Sequence, residues 1–293
     1  MTGVTEVVIV GAGPGGYEAA LVAAQLGAKA TVVDRDGPGG SAVLTDCVPS
    51  KTLIATADSV LSAQHSAALG IRLGGGTNAD EVVSVDLHEV NDRVKRLAEA
   101  QSHDIGERLA RDGIQLVRGR GRLVAAAGRS AVAVELADGG RAELPADAIL
   151  LATGARPRVV DGMAPDGERI LTWDQLYDLD ELPERLIVIG SGVTGAEFAS
   201  AYEALGSEVV LVSSRDRVLP GEDPDAAAVI EEVFADRGVT VLSKARAVRA
   251  MRTDAGVTVT LADGSEVVGT HVLLAIGSVP NTEDLGLAEA GVA

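Results

Sequence analysis

The sequence predicts an α/β fold in which one plan, a parallel sheet with flanking helices and a β-hairpin, occurs twice. Two short apolar runs, Glu6–Val10 and Leu186–Ile189, are typical of strands buried on both faces. Each run leads into a turn with glycines spaced as GxGxxG, at residues 11–16 and 190–195, and then into a helical pattern. A later Asp-Gly pair in each half is typical of a hairpin turn.

The first glycine turn, residues 11–16, lies between the first strand and a helix that ends before Gly27. Glycines at this spacing let a backbone approach a pyrophosphate, and the helix N-terminus adds N–H donors and positive potential. A second strand, 29–33, is followed by Asp34, which comes about twenty residues after the first glycine and can accept from a ribose hydroxyl. We therefore predict a Rossmann-like dinucleotide-binding domain.

The remaining elements of the first half follow in order. Helices are predicted at 47–69 and 86–112, and the charged faces of the second are typical of a solvated helix. Strand-like alternation begins at Ile114, residues 131–144 form a hairpin, and 149–154 form a strand that ends in small residues.

The same order of elements returns in the second half. After the second glycine turn, residues 190–195, the predicted elements are a helix to Leu205, a strand at 208–213, a helix at 223–237, a hairpin at 257–268 and a strand at 272–277. Residues 155–183, rich in Pro, Gly and Asp, are predicted to be the linker. The first half is longer because a helical insert in it carries Cys47 and Lys51.

Composition limits the kinds of partner. The chain has 293 residues and a formal net charge of -18, with 43 acidic against 25 basic residues, so a nucleic acid partner is not expected. Four scattered histidines and one cysteine make no metal-ligand spacing, and a single cysteine excludes an intrachain disulfide. The sequence has neither an apolar run of membrane-spanning length nor a basic leader, so we expect a cytoplasmic protein without a membrane span.

Cys47 and Lys51 lie one helical turn apart, so both side chains can face the same object. Two dinucleotide folds in one chain suggest two dinucleotides brought face to face, for which the simplest chemistry is hydride transfer from a nicotinamide to a flavin. The alternative is that Cys47 is a small buried apolar residue and Lys51 a solvated helix charge.

In these features the chain resembles the pyridine nucleotide–disulfide oxidoreductase family, the group of dihydrolipoamide dehydrogenase and glutathione reductase. The matching pieces, in the family's order, are the two glycine turns, Gly39-Gly40 leading to Cys47-Val-Pro-Ser-Lys51, Ala152-Thr-Gly154, and Ala275-Ile-Gly277 with Pro280-Asn281. The resemblance implies an FAD-binding domain at 1–155 and an NAD(P)H-binding domain at 156–279. Residues 280–293 would begin a return to the FAD domain.

The resemblance also implies roles for particular residues. Lys51 would lie beside the flavin N5 edge and pair with Glu197, placing positive charge where the reduced flavin becomes anionic. Cys47 would be a flavin neighbour. The implied contacts of the first cofactor are Gly11, Gly13, Pro14, Gly15, Gly16, Asp34, Arg35, Gly39, Gly40, Ser41, Ala42, Lys51, Gly119, Ala152, Thr153 and Gly154. Those of the second are Gly190, Gly192, Val193, Thr194, Gly195, Glu197, Ser213, Ser214, Arg215 and Gly277.

One departure from the family concerns its active Cys-x4-Cys pair. Ala42 stands at the first position, and only Cys47 matches. Dithiol–disulfide exchange needs both sulfurs, so reduction of lipoamide or glutathione is not expected. The chain is more similar to an actinobacterial branch of lipoamide-dehydrogenase-like proteins that act as NAD(P)H:quinone reductases, which implies a quinone acceptor. Two alternatives remain, a dihydrolipoamide dehydrogenase, which Ala42 disfavours, and a non-catalytic nucleotide-binding fragment.

A second departure concerns length. Members of the family continue into a Gly-Asp segment that contacts FAD and then into a dimerisation domain with a His-Glu acid/base pair. The resemblance therefore implies homodimeric full-length relatives and a chain that lacks their dimer surface.

The preferred nicotinamide nucleotide is predicted from residues 213–215. The offset that places Asp34 after the first glycine turn places Ser213 after the second, where users of NADH carry an acid. Ser213 and Ser214 have no carboxylate to repel a 2′-phosphate, and Arg215 could pair with it. We expect NADPH, with NADH as the second choice. The alternative is that Arg215 is only surface charge.

Overall fold

A computed structural model describes residues 4–71, 83–126 and 129–292. The contacts within the chain divide it into two compact units. Unit 1 comprises Met1–Val48, Arg96–Arg156 and Pro280–Ala293, and unit 2 comprises Pro49–Lys95 and Pro157–Val279. Each unit has a parallel sheet and apolar cores of its own.

The helices of the described residues are α1 (Pro14–Gln25), α2 (Gly40–Leu44), α3 (Cys47–Gln64), α4 (Leu87–Arg111), α5 (Val193–Leu205) and α6 (Pro224–Asp236), with 3-10 turns at His65–Leu69 and Trp173–Asp178. The strands are β1 (Glu6–Val10), β2 (Lys29–Asp34), β3 (Gln115–Ala126), β4 (Arg129–Leu136), β5 (Arg141–Ala146), β6 (Ala148–Leu151), β7 (Ala155–Pro157), β8 (Ile170–Thr172), β9 (Arg185–Ile189), β10 (Glu208–Val212), β11 (Thr240–Leu242), β12 (Ala247–Thr253), β13 (Gly256–Leu261), β14 (Glu266–Gly269), β15 (His271–Leu274) and β16 (Ser278–Pro280).

Unit 1 contains a six-stranded sheet in the order β5-β4-β3-β2-β1-β6. Strands β1, β2, β6 and the start of β3 are parallel, and β3 continues as the partner of antiparallel β4. Because Val10 pairs with both Val33 and Leu151, the carboxyl ends of β1, β2 and β6 meet at one edge. Ile9 of β1 and Leu21 of α1 share a buried core. The first glycine turn leaves β1 at this edge, which is where open parallel sheets bind ligands.

Unit 2 contains a five-stranded parallel sheet in the order β11-β10-β9-β15-β8 and a separate antiparallel sheet, β12-β13-β14. Ile189 pairs with both Val212 and Leu274, so the second glycine turn also begins at the carboxyl edge of a parallel sheet. The main core of the unit includes Leu53 of α3 and Val94 of α4, both fully buried. The insert therefore contributes apolar side chains to unit 2.

The structure confirms the two strand–turn–helix repeats and both predicted hairpins. The predicted linker, residues 155–183, is wrong, because it contains β8, a fully buried strand of the unit 2 sheet, and Trp173, a core residue. A strand of three residues between turns is too short to show a pattern in the sequence. Residues 49–95, which the predicted first domain includes, belong to unit 2. The assignment of one cofactor to each predicted domain stays a prediction.

Candidate functional site

The first glycine turn packs too tightly for side chains at its ends. Gly11 has φ +106°, and a Cβ there would collide with the carbonyl oxygen of Ala152. A Cβ on Gly16 would collide with the carbonyl oxygen of Gly11. These two glycines are required by the fold itself, because only a residue without a Cβ permits such close backbone approach.

The middle of the same turn is open. A Cβ added to Gly13 or Gly15 would meet no atom within 4 Å. Pro14, which has no N–H to leave unsatisfied, occupies the first position of α1. The backbone at the N-terminus of α1 can therefore be approached by a ligand that carries a phosphate.

Asp34 accepts hydrogen bonds from three backbone N–H groups around this turn. One carboxylate oxygen accepts from the backbone N–H of Ala12 at 2.7 Å. The other accepts from the N–H groups of Asp36 at 2.8 Å and Gly37 at 2.7 Å. Asp34 thus shapes the edge of the site, and its remaining lone pairs leave room for the predicted ribose hydroxyl.

The predicted cofactor residues at 35–42 lie next to Asp34 and on α2. A Cβ on Gly40 would lie 2.8 Å from the Cα of Gly13, and the N–H of Gly39 donates to the carbonyl of Ala12 at 2.8 Å. Ser41 and Ala42 follow on α2. Arg35 forms a two-point ion pair with Asp36, which raises the pKa of the guanidinium and lowers that of the carboxyl.

Two other predicted contacts of unit 1 have structural partners. Ala152, Thr153 and Gly154 form a turn after β6, which we call the Ala152 turn, and its first residue abuts Gly11. Gly119 lies buried in β3, where a Cβ would collide with the carbonyl oxygen of Glu135. Close pairing of strands is thus one reason for a glycine at 119, and its contact with a cofactor stays a prediction.

The second glycine turn repeats the first in detail. Gly190 has φ +111° and abuts the carbonyl of Ala275, and a Cβ on Gly195 would collide with the carbonyl oxygen of Gly190. A Cβ on Gly192 would meet nothing within 4 Å. Val193 and Thr194 begin α5. Gly277, with φ +95°, closes the turn after β15.

The segment after β10 differs from the position of Asp34 in the first half. The hydroxyls of Ser191 and Ser213 share a hydrogen bond of 2.7 Å, and Ser213 is fully buried. The Ser213 hydroxyl also accepts from the N–H of Arg215 at 3.1 Å. The Ser213 hydroxyl therefore stabilises this turn through buried hydrogen bonds and does not face a ligand. Ser214 and Arg215 are exposed. The sequence gives no sign of this, because burial depends on the partner at 191.

Lys51 and Glu197 form an ion pair, with Nζ and Oε1 2.7 Å apart. Lys51 lies in the second turn of α3, and Glu197 lies in α5 just after the second glycine turn. Their side chains are 60% and 28% exposed. The pairing that the resemblance implies is present within unit 2. Cys47, one helical turn before Lys51, is exposed at the start of α3.

The described residues contain neither a metal site nor a membrane-spanning helix. Within 4–71, 83–126 and 129–292, no three His, Cys, Asp or Glu side chains converge in a way that could hold a metal ion. None of the helices in this part of the chain combines the length and apolar composition that crossing a bilayer requires.

Comparison with known proteins gives a consistent result. A family model described as pyridine nucleotide-disulphide oxidoreductase matches residues 5–293. The NAD(P)H dehydrogenase (quinone) of Mycobacterium tuberculosis is 51% identical over 295 residues, which cover 99% of this chain and 59% of the relative. A dihydrolipoyl dehydrogenase of Zymomonas mobilis is 32% identical over 291 residues, covering 98% and 60%. The chain thus spans about 60% of the length of the curated relatives it matches.

Solved structures agree. The crystal structure of LpdA from Mycobacterium tuberculosis matches with a TM-score of 0.92 and 50% identity, covering 99% of this chain and 62% of that chain. The HOCl-induced flavoprotein disulfide reductase RclA from Escherichia coli matches with a TM-score of 0.81 at 24% identity, covering 98% and 60%, a likeness of fold alone. These matches confirm the predicted α/β fold with two Rossmann-like domains.

Proposed function

The chain belongs to the pyridine nucleotide-disulphide oxidoreductase family, and on this basis we propose that it is the nucleotide-binding part of an FAD-dependent NAD(P)H:quinone oxidoreductase. The observation that carries the proposal is the pair of glycine turns, each closed at its ends and open at its centre. Such a turn admits a pyrophosphate against the backbone, and two of them fit two dinucleotides.

A flavin dinucleotide fits unit 1. The open backbone at Gly13 and Gly15 would take its pyrophosphate, and the N-terminus of α1 adds positive potential. Asp34 is held in place by three backbone N–H groups and can still accept from a ribose hydroxyl. When bound, FAD supplies the redox chemistry, receiving electrons from the nicotinamide and delivering them to the acceptor.

A nicotinamide nucleotide fits unit 2, and we propose a preference for NADPH over NADH. Its pyrophosphate would meet the backbone at Gly192 and the N-terminus of α5. Support for the preference comes from the exposed Ser214 and Arg215 and from the buried hydroxyl that replaces a carboxylate at Ser213. Arginine binds phosphate through charge-assisted, often bidentate hydrogen bonds. Because Asp216 is exposed beside Arg215, we expect a preference and not exclusion of NADH.

A quinone is proposed as the acceptor because the chain lacks a second cysteine. Ala42 and Cys47 occupy the positions where the family has its redox pair, so exchange with a disulfide has no resolving thiol. A quinone can be reduced without a thiol. A relative that is 51% identical has the name NAD(P)H dehydrogenase (quinone), which supports the same choice.

The ion pair of Lys51 and Glu197 is proposed to serve the flavin site. Its separation of 2.7 Å fixes the position of the ammonium group, although both side chains keep some exposure. An ammonium beside N5 would favour the negative charge that develops on a reduced flavin. Glu197 acts through Lys51 and is in this sense a positioning residue.

The proposal is tested by loading the purified chain with FAD and removing the excess by gel filtration. We expect a yellow protein with equimolar flavin, whose absorbance NADPH bleaches without oxygen and a benzoquinone restores. Turnover with dihydrolipoamide would instead support a disulfide reductase. A chain that takes up no FAD from a large excess would contradict the proposal.

A further inference from the structure

Asn281 bonds to the Ala152 turn through three of its polar groups and to Arg156 through the fourth. Its backbone N–H donates to the carbonyl of Gly154 at 3.0 Å, and its Nδ2 donates to the carbonyl of Thr153 at 3.0 Å. In return, the Thr153 hydroxyl donates to the carbonyl of Asn281 at 2.7 Å. The remaining acceptor, Oδ1, receives Nη1 of Arg156 at 3.1 Å. All of these residues belong to unit 1.

The turn that Asn281 holds also forms one wall of the first glycine turn. Gly11 lies so close to the Ala152 carbonyl that a Cβ would collide with it, and a Cβ on Gly16 would lie 3.4 Å from the Ala152 side chain. A shift of the Ala152 turn would therefore change the backbone packing at Gly11. The Ala152 turn has Gly11 on one side and Asn281 on the other.

The segment around Asn281 has other attachments to unit 1. We call residues 280–289 the return segment. The N–H of Leu123 donates to the carbonyl of Leu285 at 2.8 Å. Three exposed ion pairs add to this contact: Arg120–Asp284, Arg122–Glu289 and Arg156–Glu283. Removing the Asn281 side chain would therefore leave the return segment docked, so its local effect can be measured separately.

The second half of the chain lacks the equivalent arrangement. Ala275 abuts Gly190 as Ala152 abuts Gly11, so Ile276 corresponds to Thr153. Isoleucine has no hydroxyl to donate. The hydroxyl-to-carbonyl bond to the return segment is therefore a feature of the first turn, and a change at 281 should affect one nucleotide site and not the other.

We propose that Asn281 is a positioning residue for the flavin site, an inference that rests on the proposed function. Asn281 holds the Ala152 turn in the geometry that keeps the first glycine turn closed at its ends. A site fixed in advance binds more tightly because less freedom is lost on binding. Without the side chain, two hydrogen bonds disappear and the carbonyl of Thr153 loses its donor.

The test measures FAD affinity of the 293-residue chain, prepared without flavin and titrated with FAD by fluorescence quenching. The variants are Asn281→Ala and Asn281→Asp, of which the second keeps the shape and the acceptor but removes the donor. We expect the Kd for FAD to rise about tenfold in both variants. Asn281→Ala loses both side-chain hydrogen bonds, and Asn281→Asp loses the one that the amide donates. The control is Glu289→Gln, which removes one exposed ion pair from the same segment, and its Kd should stay within about twofold.

Two readouts separate positioning from general stabilisation. At saturating FAD, the visible circular dichroism of the bound flavin should change in the Asn281 variants and not in Glu289→Gln. The apparent Kd for NADPH should not change in any of them. If Asn281→Ala does not fold, Asn281→Asp decides the result.

Equal FAD affinity and equal flavin dichroism in wild type and Asn281 variants would overturn this inference but not the proposed function. A raised Kd with unchanged dichroism would also overturn it, because the effect would then be one of stability. No uptake of FAD by the wild-type chain would overturn the proposed function and this inference with it.

Discussion

The Nζ of Lys51 lies 2.7 Å from Oε1 of Glu197, although 146 positions separate the two residues. The pair connects the second turn of α3 to the helix that follows the second glycine turn. Because the lysine side chain is 60% exposed, the pair contributes less than about 1 kcal/mol to folding. Stability is therefore a weak reason for the pair, and the role that we propose for it is to hold a positive charge for the flavin site.

Lys51→Ala should slow reduction of bound flavin by NADPH by about tenfold to a hundredfold, because it removes the ammonium group that we propose to stabilise the reduced flavin. Stopped-flow absorbance with excess NADPH measures this rate. Lys95→Ala is the matched control, since it removes another exposed lysine of unit 2, paired with Asp178 at 2.8 Å. An unchanged rate in flavin-loaded Lys51→Ala would exclude the role given to the pair.

Two alanine substitutions in the first glycine turn should have different effects, one on stability and the other on FAD binding. Gly16→Ala should lower the free energy of unfolding by about 2 kcal/mol or more, because its Cβ collides with the Gly11 carbonyl. Gly13→Ala should cost at most about 1 kcal/mol, since its Cβ enters open space, yet it should weaken FAD binding. Denaturant unfolding of the flavin-free chain and FAD titration measure the two effects. Normal FAD affinity in Gly13→Ala would place the pyrophosphate elsewhere.

Arg215→Ala should raise KM for NADPH about tenfold and change KM for NADH by less than about twofold, because only NADPH presents a 2′-phosphate. Steady-state kinetics with both nucleotides and one quinone decide the matter. Arg249→Ala, at an exposed arginine on β12, controls for loss of surface charge in the same unit. Equal changes with NADPH and NADH would mean that Arg215 is surface charge only.

His88 should make the stability of the chain depend on pH. Its hydrogen bond to Asp180, at 2.8 Å, and the carboxylate of Asp92 raise the pKa of the imidazole. The folded protein thus favours the protonated form, so the stabilisation is complete below the unfolded pKa of about 6.5 and is lost as pH rises through the higher folded pKa. His88→Gln should melt below wild type near pH 5.5 and together with it in alkaline buffer, a window that follows from the same reference pKa of about 6.5.

Asp180→Asn should give the same pattern, because it removes the partner that contributes most to the raised pKa of His88. Thermal melts of wild type and both variants across this pH range provide the measurement. A difference in melting temperature that is the same at every pH would show that the imidazole charge has no part in it.

The sequence predicts the parts of the fold that depend on local pattern. The spacing of Gly11 and Gly16 after an apolar strand predicts a tight turn, and in the structure each has a close backbone neighbour. The resemblance supplies Glu197 as the partner of Lys51, which spacing alone could not have done. Such information comes from a family and not from the chemistry of a single chain.

The sequence does not predict features that depend on distant partners. Strand β8 has three residues and is defined by its pairing with β15, so it cannot be recognised within a stretch that is otherwise rich in Pro, Gly and Asp. The spacing from the second glycine turn predicts the position of Ser213 but not that it is buried. Its burial is made possible by the hydrogen bond to the hydroxyl of Ser191. The bonds of Asn281 join residues 128 positions apart, which no local pattern reveals.

We propose that electrons pass from NADPH through FAD to a quinone without a pair of cysteine thiols. The most direct test uses Cys47→Ser loaded with FAD, reduced by NADPH without oxygen and then mixed with a benzoquinone. Because Ala42 already removes disulfide exchange, we expect the flavin to be reoxidised at a rate within about twofold of wild type. Near-total loss of reoxidation in the flavin-loaded variant would contradict the claim.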